Sequence, residues 1–240
     1  VYTCGFQKEG YDESAKMWIG TNPKVLKNGT RAQKLSFYNG RCYIAGYGNN
    51  EENEVEEARI WIDGQAYNKL SQDNDDKNKN GDYPALANDI ASDGDNWWCV
   101  GQERNSGVGY LPKVWINRSN NNLKREGPAS SLTCIKYENG TFYIGGNDGY
   151  HAMYWSATQK SSKENRINNC QEYDLSSGVT QAKVDDIDVL NGIVVCCGYE
   201  RSATGSNIPK LWINGSEYPL GEQLNNYSNV RPCAVAIVKR

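Results

Sequence analysis

Two short phrases recur five times along the chain, and they restrict its fold more than any other feature. The first is a strand-like segment that ends in Gly, at Val1 to Gly5, Cys42 to Gly46, Trp97 to Gly101, Phe142 to Gly146 and Val194 to Gly198. After a polar loop of variable length comes the second, a strand centred on Trp: Lys16-Met17-Trp18-Ile19, Arg59-Ile60-Trp61-Ile62, Lys113-Val114-Trp115-Ile116, Met153-Tyr154-Trp155-Ser156 and Lys210-Leu211-Trp212-Ile213. A short apolar strand follows each Trp phrase. A further strand with a tight turn precedes the Gly phrase, as in Leu35 to Gly40, Cys134 to Gly140 and Ile187 to Gly192. Asn-Gly between alternating segments is a strong hairpin signal.

Four strands per unit and five units predict an all-β fold, a five-bladed β-propeller of four-stranded antiparallel blades. The ring is expected to close when the C-terminal strand, Cys233 to Val238, joins the N-terminal blade; the alternative is a strand exchanged with a neighbouring molecule. The blades then run approximately 232–240 with 1–31, 32–86, 87–129, 130–181 and 182–231. All 240 residues form one propeller domain, since no half of such a ring closes alone.

These repeats resemble those of small five-bladed propellers built from tandem Y-x-A-G…W-x-N-G units, a group seen in secreted and surface proteins. In architecture alone the chain is similar to the tachylectin-like lectins, whose own repeat motif it lacks. That resemblance implies a binding face for sugars and leaves the activity open, because one fold serves many functions.

Charge and composition exclude several classes. Twenty-six Lys and Arg stand against 29 Asp and Glu, a net of -3, so there is no basic surface to neutralise phosphates and nucleic acid is not an expected partner. Mean hydropathy is -0.76, and no apolar run approaches the ~18 residues that span a bilayer. His151 is the single histidine, which removes His-ligated zinc and Ser/Cys–His nucleophiles.

Eight cysteines form an even set without zinc-like pairs. Carrying the register of the second blade's hairpin to the chain ends places Cys4 opposite Cys233, which predicts a ring-closing disulfide; the competing reading is two buried free thiols. Sequons stand at Asn28, Asn117, Asn139, Asn214 and Asn226, several of them by-products of Asn-Gly turns. The expected compartment is extracellular or cell surface.

Function is sought where the repeat is broken. The loops between the second and third strands of three blades carry Tyr11 with Asp12, Tyr110, and Asp148 with Tyr150 and His151. Tyr rings stack on pyranose faces while carboxylates take paired hydroxyls, so these six residues are the expected ligand site; packing of each Tyr onto its own blade is the plain alternative. Asp76, Asn78, Asn80 and Asp82 match the first half of a calcium loop, making calcium a candidate cofactor, although position twelve is Ala87. Asp185, Asp186 and Asp188 lie on the innermost strand of blade five, with Asp186 and Asp188 on one face. A glycosidase needs carboxylates on both sides of the scissile bond, and blade five supplies all three. The expectation is therefore a non-catalytic, lectin-like module that binds a glycan. The alternatives are an adhesive subunit that binds a cell-surface protein and a glycoside hydrolase using channel carboxylates.

Overall fold

The computed structural model describes residues 1–49, 55–70, 84–105, 109–117, 119–121, 123, 130–161, 164–220 and 230–238. Its regular structure is all β, in five antiparallel sheets that follow chain order, the blades of a five-bladed propeller. Blade one has three strands, β1 (Tyr2–Glu9), β2 (Asp12–Ile19) and β3 (Asn22–Val25). Blade two has four: β4 (Arg31–Tyr38), β5 (Arg41–Asn49), β6 (Glu56–Ile62) and β7 (Gln65–Lys69). Blade three holds β8 (Ala85–Ser92), β9 (Trp97–Asn105), β10 (Gly109–Ile116) and β11 (Ser119–Asn121). Blade four holds β12 (Ser131–Glu138), β13 (Thr141–Asp148), β14 (His151–Ser161) and β15 (Glu164–Asp174). Blade five holds β16 (Ala182–Leu190), β17 (Ile193–Arg201), β18 (Asn207–Ile213) and β19 (Ser216–Tyr218).

The repeated residues each do a specific job. Asn39-Gly40, Asn139-Gly140 and Asn191-Gly192 all have positive φ, as a two-residue hairpin turn between right-twisted strands requires. The Asn or Asp just after the Trp phrase clamps the third strand to the second. The side-chain oxygens of Asp63, Asn117 and Asn214 accept from the backbone amides of Cys42, Trp97 and Val194 at 2.8, 3.0 and 2.9 Å respectively. The Gly that ends the first phrase sits opposite a β-bulge. In β4, β8, β12 and β16 one extra residue enters the first strand, between Ala32 and Lys34, Ala87 and Asp89, Leu132 and Cys134, and Val184 and Asp186. The bulge bends that strand onto its neighbour. A Cβ on Gly46, Gly101, Gly146 or Gly198 would lie 1.9–2.1 Å from a backbone carbonyl oxygen, so no larger residue fits.

The Trp row joins blade to blade. Trp61 packs with Ala15, Met17 and Leu26 of blade one, Trp115 with Ala58 and Ile60 of blade two, Trp155 with Trp98 and Val114 of blade three, and Trp212 with Ala152 and Tyr154 of blade four. All four are at most 2% exposed, whereas Trp18, which starts the row, is half-buried.

Ring closure differs in detail from expectation. The 230–238 segment has no regular secondary structure and makes no backbone hydrogen bond to β1 among the described residues. It is held by blade five instead. The Val235 and Ile237 amides donate to Asp186 (2.9 Å) and Asp188 (2.7 Å), as the Ile135 amide of blade four donates to Asp89 of blade three (3.0 Å). The segment thus lies where the innermost strand of the next blade belongs, with Val235 the counterpart of Ile135. That correspondence makes Ala234, not Cys233, the residue at the height of Cys4, and puts Cys233 at the bulge. The expected Cys4–Cys233 disulfide is corrected accordingly: both are free thiols, and burial pushes the Cys4 thiol up to about 11.

Candidate functional site

The four innermost strands face a central channel, and their bulges share one height, so corresponding residues fall into layers. The bulge residues Gln33, Asn88, Thr133 and Asp185 form one. Lys34, Asp89, Cys134 and Asp186 form the next, and side-chain alternation brings Ser36, Ala91, Lys136 and Asp188 to the one beyond.

A cavity of about 350 Å³ occupies the inner layers and extends toward the hairpin turns Asn39-Gly40 and Asn139-Gly140. Lys34, Asp89, Lys136 and Asp186 give it charge. Ser36 and Ser92 add hydroxyls, and Phe37, Tyr38 and Tyr137 add aromatic rings. Tyr38 and Tyr137, from blades two and four, meet edge to face with centroids 6.0 Å apart. Charged groups for hydroxyls beside rings for apolar sugar faces is a lining that suits a saccharide.

The carboxyls differ in their surroundings. Asp89 is fully enclosed, and burial pushes its pKa up to about 6, against the opposing pull of Lys34 and of the Ile135 and Ile90 amides. For Asp188 burial acts in the same direction, but the Ile237 amide and Lys136 (2.9 Å) outweigh it and hold the carboxyl below its ordinary value. Asp186 accepts Lys34 at 2.7 Å on one oxygen and the Val235 amide on the other. Burial by itself would lower Lys34; the Asp89 and Asp186 carboxylates more than compensate and raise it. The channel carboxyls are thus held differently: Asp89 is biased toward its protonated form and Asp188 toward its ionised form, while Asp186, bonded to Lys34, shares the cavity with Asp89.

The six residues expected to bind ligand lie elsewhere, at the opposite end of the strands. Tyr11, fully exposed, and Asp12 stand at the β1–β2 tip, and Tyr110 near the β9–β10 tip. Asp148, Tyr150 and His151 share the β13–β14 tip, where Asp148 accepts the Ser130 hydroxyl at 2.8 Å and His151 Nδ1 lies 2.7 Å from Asp174. The tips belong to three blades, and none of the six lines the channel cavity. Asp76, Asn78, Asn80 and Asp82, the expected calcium ligands, lie outside the described residues, among which no cluster of metal-binding side chains occurs.

Asp89 is the channel residue that sequence reasoning missed. Its signal was a constant spacing: Lys34, Asp89, Cys134 and Asp186 each stand twelve residues before the Gly that ends their blade's first phrase.

No protein-family model matches the chain, and comparison with curated proteins finds no match. Among solved structures it is similar to an arabinanase from Bacillus subtilis, at 17% identity and a TM-score of 0.43 over 89% of each chain. It is also similar to a β-xylosidase, at 14% identity and a TM-score of 0.40 over 87% of this chain and 84% of the other. Both are five-bladed propellers, and the likeness is one of fold. The expectation of a non-catalytic lectin-like module is corrected here. A carboxyl from a blade other than the fifth, whose apparent absence argued against enzyme chemistry, is present as Asp89 of blade three.

Proposed function

We propose that the protein is a glycoside hydrolase whose reaction takes place in the channel cavity. The observation that carries this reading is Asp89, a carboxyl raised to about 6 by burial, in one cavity with Asp186 of a different blade. Asp89 is the proton donor to the glycosidic oxygen as its bond to the anomeric carbon breaks. Asp186 takes a proton from the water that adds to that carbon, so the bond cleaved is replaced by one C–O bond to water and the two carboxyls exchange roles in proton load. Lys34, bonded to Asp186 and close to Asp89 in charge, keeps the two acids electrostatically linked. Tyr38 and Tyr137 offer ring faces to the sugar. The arabinanase and β-xylosidase named above make arabinose- and xylose-based glycosides the first substrates to try.

The test is turnover of a panel of aryl glycosides and of arabinan and xylan, with Asp89→Asn and Asp186→Asn beside the wild type. A general acid or base contributes about 10²–10⁴-fold, so each variant is expected to lose at least ~100-fold in kcat while melting cooperatively. Absence of turnover across the panel, or turnover untouched by both substitutions, refutes the reading.

A further inference from the structure

The channel has a second cavity, of about 320 Å³, at the bulge layer on the side away from the aromatic mouth. It is lined by Gln33, Asn88, Gln102, Thr133, Lys183 and Asp185, together with Lys34, which also lines the first cavity. Its polar groups divide into two kinds. Thr133 donates its hydroxyl to the Val184 carbonyl (2.6 Å) and Asn88 donates its amide to the Leu132 carbonyl (2.7 Å). Each then keeps an oxygen that can accept. Gln33 and Gln102 have side-chain amides that make no hydrogen bond among the described residues, and the Lys183 ammonium makes no hydrogen bond or salt bridge there. The negative charge of Asp185 is already matched, because both its oxygens take the Arg231 guanidinium, at 2.6 and 2.5 Å. That leaves Lys183, a half-buried strand residue attracted by Asp185 but repelled by Arg231, as the cavity's cation without a hydrogen bond or salt bridge among the described residues.

A cation held in such a place lacks water on one side, and burial accordingly lowers its pKa. An anion supplied by a ligand is the natural complement, and the acceptors of Asn88 and Thr133 call for hydroxyl donors on the same molecule. We infer that this cavity binds a small hydroxylated carboxylate of the size of one uronic acid, its carboxylate on Lys183 and its hydroxyls on Asn88 and Thr133. The inference is independent of the hydrolase reading: Lys34 lines both cavities, but the contacts invoked here are those of Lys183, Asn88 and Thr133, none of which the hydrolase reading uses.

Calorimetric titration with galacturonate, galactose and acetate tests it on the full chain. Galacturonate is expected to bind, with galactose and acetate each at least ~10-fold weaker, because each lacks one of the two recognised features. Lys183→Gln is expected to lose galacturonate by a similar factor, whereas Thr133→Val tests the hydroxyl arm and is expected to narrow the gap between galacturonate and acetate. Should Lys183→Gln fail to fold, the wild-type Lys183 side-chain resonance gives the same answer: its pKa rises on galacturonate binding and is unmoved by galactose. Equal affinity for galactose, galacturonate binding unchanged in Lys183→Gln, or no galacturonate binding at millimolar concentration overturns the proposal.

Discussion

Replacing the Gly that ends each blade's first phrase by Ala separates the complete blades from the incomplete one. In blade three, a Cβ on Gly101 would stand 2.0 Å from the Leu86 carbonyl oxygen and 3.0 Å from the Trp115 ring. A carbon and a carbonyl oxygen need a separation greater by more than ~1 Å, so the bulged strand β8 must lift from β9. Overpacking of this kind costs about 1–3 kcal/mol, and loss of the two ladder hydrogen bonds beside the bulge adds about 1 kcal/mol each. Gly101→Ala is thus expected to cost about 3–5 kcal/mol, and in a chain of this size roughly 2–4 °C of Tm accompanies each kcal/mol. Gly46, Gly146 and Gly198 should behave alike, since a Cβ there meets the Arg31, Ser131 or Lys183 carbonyl oxygen at 2.1, 2.0 and 1.9 Å. Gly5 holds the same place in blade one, yet its nearest neighbour is the Trp18 ring at 3.6 Å, an ordinary contact. Gly5→Ala is therefore expected to change stability by no more than about 0.5 kcal/mol. Urea unfolding of the five variants, followed by Trp fluorescence, gives the comparison. A loss at Gly5 equal to that at Gly101 would refute the reasoning, because it would mean that the C-terminal segment seats on β1 with the same bulge as the other innermost strands.

Three further outcomes follow from buried groups. Trp115→Ala should cost about 3–5 kcal/mol, and Trp18→Ala about half as much because its ring is half-buried; equal losses in chemical denaturation would contradict the stepwise packing of each Trp on the preceding blade. Asp89 has a pKa of about 6 in the folded chain against an ordinary 3.8, so between those values the native state holds more protons than the unfolded one. Stability from this group therefore falls as pH rises through the window, by up to about 3 kcal/mol, and Asp89→Asn should flatten the wild-type slope between pH 4 and 6.5. Lys113 and Glu103 pair at 3.6 Å with side chains 3% and 7% exposed; Lys113→Met alone should cost about 3–5 kcal/mol, and adding Glu103→Gln should recover most of it in the same unfolding assay.

The repeats made the fold legible because each repeated residue answers a geometric demand that recurs in every blade. Gly46 and its counterparts admit a bulge, Asn39-Gly40 and its counterparts turn a hairpin, and the Trp row fills the seams. The ion pairs of Lys113 with Glu103 and Lys210 with Glu200 answer the same recurring geometry, since they stand on adjacent antiparallel strands. What escaped depends on how the ring is assembled. Cys233 left the height of Cys4 because no hairpin turn joins the C-terminal segment to β1, so nothing local pins its register; the Asp186 contact to Val235 does. The bulge also sets the channel layers, so residues far apart in sequence become neighbours only once the ring is closed. Asp89 and Asp186, 97 positions apart, have no local pattern in common with a catalytic motif and share just their distance from a Gly. Reading for irregularity led to the loop tips, because Tyr11, Tyr110 and Tyr150 break the repeat visibly. The channel does the opposite: it is built from positions that the repeat holds constant in place and varies in chemistry, Lys, Asp, Cys and Asp in successive blades. In a ring of repeats, that kind of position is where side chains of different character are brought face to face, as Lys34, Asp89 and Asp186 are in this channel.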